Sequence, residues 1–328
     1  MPLTDLPLEE LRRYRAEVPE PDGFDAFWET TLSAARAAAD GPAEYRRVEG
    51  TPLRSVEVHD VRFPGWAGQP VAAWLILPRG TAPGAGLPAV ITYLGYNNGR
   101  GRPIEHLVWA SAGYAHLVVD SRGQGDATPD PDPAPGPQPP RGFLTRGITD
   151  RDTYYYRRLM TDAARAVDAM RAHPAVDPGR IVVAGGSQGG GLALATAGLR
   201  GDAVAAALID VPFLCHFRRG AQLASAGPYP ELGHYLGHRL MADPEETFAT
   251  LDYFDGLHFA PRAAAPALFS VGLMDPVCPP STVFAAYHRY GGAAEIAVWP
   301  FGEHTGGRAA QRERQLEWLA GQGLAPGA

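Results

Sequence analysis

The sequence predicts an α/β fold: one mostly parallel sheet of eight strands, helices between them, and a cap inserted late in the chain. Three observations point there. Short apolar runs alternate with helical stretches along most of the 328 residues, the rhythm of repeated βα units. Arg180–Gly191 reads as strand, tight glycine-rich turn and helix start. The rhythm breaks over residues 212–260 and then resumes, as it does where a cap is inserted.

Residues 1–20 are read as an arm lying on the body. A helix follows from Asp22 or Gly23 to about Ala39, with Phe24, Phe27, Trp28 and Leu32 on one face, and Gly41-Pro42 ends it. Ser55–Phe63 and Val71–Leu77 are strands around the turn Pro64-Gly65-Trp66-Ala67-Gly68. Pro88–Leu94 and Tyr114–Asp120 are apolar runs of the kind buried in a parallel sheet, with a helix from Pro103 to about Ala112 between them. Residues 129–142 are crowded with proline and lack the donors for helix or interior strand. They read as a surface excursion or as a wall of the site or a subunit contact.

A long helix, Asp152–Ala172, carries Tyr155, Leu159, Ala163, Ala166 and Met170 at helical spacing. Strands at Arg180–Ala184, Val204–Val211, Pro266–Leu273 and Ala294–Pro300 complete the eight, and a last helix runs from Arg308 to about Ala320. Nothing repeats and no linker divides the chain, so residues 1–328 are expected to form one domain. The arm and first helix take up about residues 1–40, and the cap about 212–260.

Composition narrows the partners. A net charge of −7 argues against nucleic acid or an anionic membrane surface. No apolar run is long enough to span a bilayer, and Met1–Asp5 has neither the basic start nor the apolar core of a secretory signal. Cys215 and Cys278 stand far apart without a C-x-x-C pattern and read as buried, reduced thiols. A cytoplasmic location is the expectation.

The chemistry centres on Gly185-Gly186-Ser187-Gln188-Gly189. A serine between strand and helix is held in a strained conformation with its hydroxyl clear of the sheet edge, the arrangement of the α/β-hydrolase fold. Serine hydroxyl is a weak nucleophile at neutral pH, so a base must take its proton and a third group must orient the base. In this fold the order is Ser, acid, His, on loops at the C-terminal sheet edge. Asp275, after the strand Pro266–Leu273, and His304, in a glycine-rich loop after the last strand, fit that rule. Asp120 and Asp210 also end strands, at positions the fold leaves to packing or loop support.

The other nine histidines sit in predicted elements, at their ends or in the cap. His234 and His238, with Glu231 three residues earlier, have metal-ligand spacing. With no third histidine or cysteine cluster nearby, they read as a solvated cap helix. Residues 185–191 do not match G-x-G-x-x-G, which excludes a dinucleotide fingerprint. Neither metal nor cofactor is expected. A tetrahedral intermediate needs two N–H donors, one from Gln188 and one from the loop opening at Tyr93-Leu94-Gly95-Tyr96-Asn97-Asn98-Gly99-Arg100-Gly101. The Tyr93 side chain is equally readable as a core aromatic.

That loop, with Asp120-Ser121-Arg122-Gly123-Gln124-Gly125, Thr153–Arg158, Gly185–Gly191, Asp210–Phe217 and Gly272–Pro280, resembles the acetyl xylan esterase/cephalosporin C deacetylase family, carbohydrate esterase family seven. The resemblance covers nearly the whole chain. It implies a Ser187–His304–Asp275 triad and an oxyanion hole from the N–H groups of Tyr93 and Gln188. It further implies that Tyr93, Phe213, Pro228 and Val277 border a small acyl pocket fitted to acetate. The expected activity is deacetylation of acetylated xylo-oligosaccharides and small esters such as cephalosporin C, by a cytoplasmic, metal-independent homohexamer. Arg122 and Gln124 read as loop scaffolding. Gly302-Glu303-His304-Thr305-Gly306-Gly307 departs from the usual Asn-His-Glu run, and Pro276 stands for the usual Asn, removing a donor beside Asp275. A general small-acyl carboxylesterase and a catalytically silent relative are the alternatives. A peptidase of the prolyl-oligopeptidase type would normally carry a large gating domain, for which the sequence has no counterpart.

Overall fold

The computed structural model describes residues 3, 5–131, 142–238 and 243–327. The N-terminal arm packs on the body through a short helix, α1 (Leu8–Leu11), whose Leu11 is buried. Ahead of it, Asp5 accepts hydrogen bonds from Arg219 Nη2 (3.0 Å) and the Ser281 N–H (2.7 Å). Helix α2 (Phe24–Ala37) buries Phe24, Trp28 and Leu32, the spacing of an amphipathic face. Its Trp28 donates to the Tyr253 carbonyl at 2.9 Å and packs edge-on against Phe254 and Phe259.

The strands are β1 (Glu44–Arg47), β2 (Val56–Pro64), β3 (Pro70–Pro78) and β4 (Leu87–Tyr93). After helix α3 (Leu107–Ser111) comes β5 (Ala115–Val119). Helix α4 (Tyr155–Ala172), β6 (Val176–Gly186), helix α5 (Gln188–Arg200) and β7 (Ala206–Asp210) follow. Between β7 and β8 the chain passes through helices α6 (Phe217–Leu223), α7 (Pro230–His238), α8 (Pro244–Asp252) and α9 (Gly256–Phe259). Then come β8 (Ala267–Gly272), α10 (Pro280–Arg289), β9 (Ala294–Trp299) and α11 (Arg308–Gly321). One sheet contains all nine, in the order β1-β2-β3-β5-β4-β6-β7-β8-β9. Strands β5 to β9 pair in parallel, while β1, β2 and β3 make the antiparallel end.

Each of the eight predicted strands is present with ends shifted by a few residues, and β1 is a ninth. Glu-Tyr-Arg-Arg has one apolar residue, Tyr45, and is mostly exposed. An edge strand of that composition carries no periodic signal. The predicted helix from Pro103 divides at His106 into a 3₁₀ turn and α3. The long helix starts at Tyr155, not Asp152. Most of the proline-rich stretch, 132–141, lies outside the described residues, so neither reading of it is tested. Among the described residues, no helix is long and apolar enough to cross a membrane.

Candidate active site

Ser187 caps the N-terminus of α5 with φ 58° and ψ −123°, a region costly for any side chain and typical of a nucleophile turn. Packing explains the flanking glycines. A Cβ on Gly185 would lie 2.3 Å from the Gly189 carbonyl, and one on Gly189 would lie 2.1 Å from the Tyr93 carbonyl oxygen. Backbone bonds hold the turn on both sides. The Ser187 N–H donates to the Asp210 carbonyl (3.0 Å), and the Ser187 carbonyl accepts from the Phe213 N–H (2.9 Å).

His304 Nδ1 is 2.8 Å from Asp275 Oδ2. Asp275 is buried, and its Oδ1 accepts the N–H groups of Val277 (2.8 Å) and Cys278 (2.9 Å). Pro276 thus removes no needed donor, because the next two residues satisfy the carboxylate. The Pro276 carbonyl in turn accepts from the Ser225 and Ala226 N–H groups, fastening the cap to the acid loop. The histidine loop is anchored too, with the Met274 N–H bonded to the Gly302 carbonyl at 2.9 Å.

Ser187 and His304 open on one cavity of about 1090 Å³ that Pro228 and Val277 also line. Gly227 lies so close to Val277 that a Cβ on it would be 2.4 Å from a valine methyl, leaving a narrow wall beside the serine. Gln188, the first residue of α5, has a backbone N–H free of intrahelical acceptors. Its buried side chain exchanges amide hydrogen bonds with Gln124 and accepts from Tyr156 Oη. Gln124 Oε1 also accepts the Asn97 N–H at 2.7 Å, so Gln124 ties the glycine-rich loop to the serine turn. Arg122 forks onto Asp162 at 2.7 and 2.9 Å, fully buried. Both sit as scaffolding.

Two expected pocket residues are turned away. The Tyr93 side chain is buried and donates to the Ala163 carbonyl at 2.8 Å, leaving only its backbone toward the site. Phe213 is fully buried one layer behind the wall, edge-on to Tyr229 and Tyr96, and does not line the cavity. In both cases the large ring finds better burial in the core than at a wet surface.

The structure adds residues that sequence reasoning passed over. Tyr96 Oη donates to the Glu231 carboxylate at 2.9 Å and accepts the Leu144 N–H, and both Tyr96 and Glu231 line the cavity. Glu231 is therefore bound up with Tyr96, while His234 and His238 on the same helix are exposed, and the three do not converge. Asp210 accepts from Ser270 Oγ (2.7 Å), Gln311 Nε2 (3.0 Å) and Gln315 Nε2 (2.7 Å). Burial pushes its carboxyl up from the ordinary range. Among the described residues, the one grouping with metal-ligand spacing is Asp275, Cys278 and His304. It consists of the hydrogen-bonded acid and base plus a thiol whose burial pushes its pKa well up, disfavouring the thiolate a metal needs.

The strained serine over a parallel sheet, with acid and histidine on the two following strand ends, defines an α/β-hydrolase. The chain belongs to the acetyl xylan esterase family: the acetyl xylan esterase (AXE1) family model matches residues 1–322. Acetyl xylan esterase from Paenibacillus sp. R4 is 38% identical, with TM-score 0.90 over 96% of this chain and 99% of that one. Acetyl xylan esterase 1 from Thermoanaerobacterium sp. JW/SL YS485 is 31% identical, with TM-score 0.88 over 97% and 99%. Acetyl esterase Axe7A of Xylanibacter ruminicola is 27% identical over 295 residues, 87% of this chain. This chain spans 63% of the length of Axe7A. An acylaminoacyl peptidase of Pyrococcus horikoshii, 17% identical with TM-score 0.59 over 84% of this chain and 43% of its own, shares the fold.

Proposed function

We propose that this chain is a serine esterase that removes acetyl groups from acetylated xylo-oligosaccharides and related small acetate esters such as cephalosporin C. The observation that carries the reading is the Asp275–His304 hydrogen bond opening on the same cavity as Ser187. Family membership supports the acetyl group.

With Nδ1–H donated to Asp275, His304 presents a basic Nε2. It takes the Ser187 proton as the serine oxygen attacks the acetyl carbonyl. The oxyanion is received by the N–H groups of Gln188 and Tyr93, reinforced by the positive end of α5. His304 then gives its proton to the departing alcohol, leaving an acetyl-enzyme. Water, deprotonated by the same His304, releases acetate and restores Ser187. Asp275 holds the tautomer and stabilises the imidazolium. The wall of Gly227, Pro228 and Val277 keeps the acyl side small, and no metal or cofactor takes part. By family resemblance the enzyme works in the cytoplasm as a homohexamer, which light scattering of the purified chain tests.

The functional test is initial rates on p-nitrophenyl acetate, butyrate and octanoate for wild type and Ser187→Ala. A steep fall with chain length, abolished by Ser187→Ala, is expected. Equal rates across the series would make it a general carboxylesterase. No turnover by wild type would make it a silent relative.

A further inference from the structure

We propose that the arm of the cavity running along α11 is the subsite for the alcohol part of the ester. Its occupant is a carbohydrate reaching beyond the ring that carries the acetyl group, read by Arg312 and Glu313. The proposal rests on the acetyl-esterase reading above and gives it a second, separable half.

Size comes first. A cavity of about 1090 Å³ stands at the top of the roughly 300–1,000 Å³ range of small-molecule sites. An acetyl group fills little of that, and the wall of Gly227 and Val277 closes the acyl side. The remaining volume lies elsewhere. It is bounded by Val108 of α3, by Asn97 and Asn98 of the glycine-rich loop, and by Arg312, Glu313 and Leu316 of α11.

Chemistry selects the occupant. An aromatic or alkyl alcohol would be met by apolar walls, and an anionic one by cations alone. This arm instead mixes a guanidinium, a carboxylate and two amides with the apolar edges of Val108 and Leu316. A sugar ring is built to match, since each hydroxyl both donates and accepts while its C–H faces are apolar. Arginine supplies donors only, and an ionised glutamate acceptors only, so adjacent Arg312 and Glu313 can engage neighbouring hydroxyls of opposite role.

Arg312 is also held in place. Its guanidinium lies 5.0 Å from the Trp109 ring centroid. Burial works against its charge, and the nearby Asp210 carboxylate works for it. Asp210 is itself fixed by Gln311 and Gln315 of the same helix. A cation clamped between ring and carboxylate beside the nucleophile has little freedom left to lose on binding.

The test compares kcat/KM on acetylated xylotriose with kcat/KM on p-nitrophenyl acetate, whose alcohol ends after one ring, using the full chain. The ratio is expected to fall about tenfold or more in Arg312→Gln, mainly through KM, the size of one lost hydrogen bond to a charged group. A fall of about threefold is expected in Glu313→Gln, where the exposed site keeps folding out of the comparison. Ratios within about twofold of wild type in both variants would overturn the subsite. Wild type that cleaves p-nitrophenyl acetate but not acetylated xylotriose would overturn the carbohydrate reading, a different and distinguishable failure.

Discussion

Replacing Asp275 by asparagine probes the base in a way the structure makes directional. Asp275 Oδ1 accepts two backbone N–H groups, from Val277 and Cys278. An amide nitrogen there would face two donors, so the asparagine oxygen must take that side. Its NH₂ then points at His304 Nδ1, 2.8 Å from Oδ2 in the wild type. Nδ1 is forced to accept, the ring proton moves to Nε2, and the base toward Ser187 is lost. Wrong-tautomer substitutions of this kind cost on the order of 10⁴-fold in kcat, or about 5.4 kcal/mol of barrier. The fold keeps both backbone hydrogen bonds and loses no volume, so the unfolding midpoint is expected to shift by no more than a few degrees. The assay is kcat and KM on p-nitrophenyl acetate beside thermal unfolding of the same preparation. A loss below about tenfold in a folded variant would refute the reasoning, because the Asp275–His304 contact would then not set the tautomer.

Three further expectations follow from the same geometry. Gly189→Ala drives a Cβ to 2.1 Å from the Tyr93 carbonyl, so a stability loss at or above the top of the roughly 1–3 kcal/mol overpacking range is expected with a fall in kcat. Near-wild-type melting would contradict the close approach. Val277→Ala opens the acyl wall, and the butyrate-to-acetate ratio of kcat/KM is expected to rise about tenfold; an unmoved ratio would take Val277 out of acyl selection. Burial, with the Asp255 and Glu245 charges adding, pushes Asp252 up to about 7 against the opposing Arg218. The folded chain holds that proton between about pH 4 and 7 where the unfolded chain has released it, so stability drops as pH rises through this window and levels off above it. Asp252→Asn should flatten the slope and, allowing for partial exposure, gain about 1–2 kcal/mol at about pH 8. Parallel denaturation curves for the two proteins across that window would reject it.

Apolar runs such as Ile181–Ala184 and Leu268–Val271 announced buried parallel strands because nothing but a sheet interior accommodates them. The serine turn and the two loop residues were legible from order along the chain, since the fold fixes which strand ends carry acid and base. What stayed hidden depends on pairs far apart in sequence. Tyr96 and Glu231 meet across the cap, and their bond leaves no mark in either local segment. Arg312 and Glu313 read as ordinary charges on an amphipathic helix, and only the cavity beside them gives them an address. Asp210 was noticed at its strand end and set aside, though its carbonyl holds the serine turn and its carboxylate holds α11. Phe213 fell one layer deeper than the resemblance implied, because a motif fixes chain position and not which ring reaches the surface. Cys278, read as a buried thiol, is buried, but its nearness to Asp275 and His304 needed coordinates.

The bond that fastens the cap to the acid loop also constrains how this enzyme can change. The Val277 N–H holds Asp275 while its side chain bounds the acyl space, and the neighbouring Pro276 carbonyl grips the cap segment that supplies the opposite wall. Acyl size and base orientation are thus set by one short stretch of backbone. Any adaptation that makes room by shifting that backbone would detune the histidine at the same time. Trimming side chains at 277 or 228 leaves the carbonyl and N–H where they are, so new acyl preferences should be reached by substitution and hardly ever by loop insertion or deletion at this point.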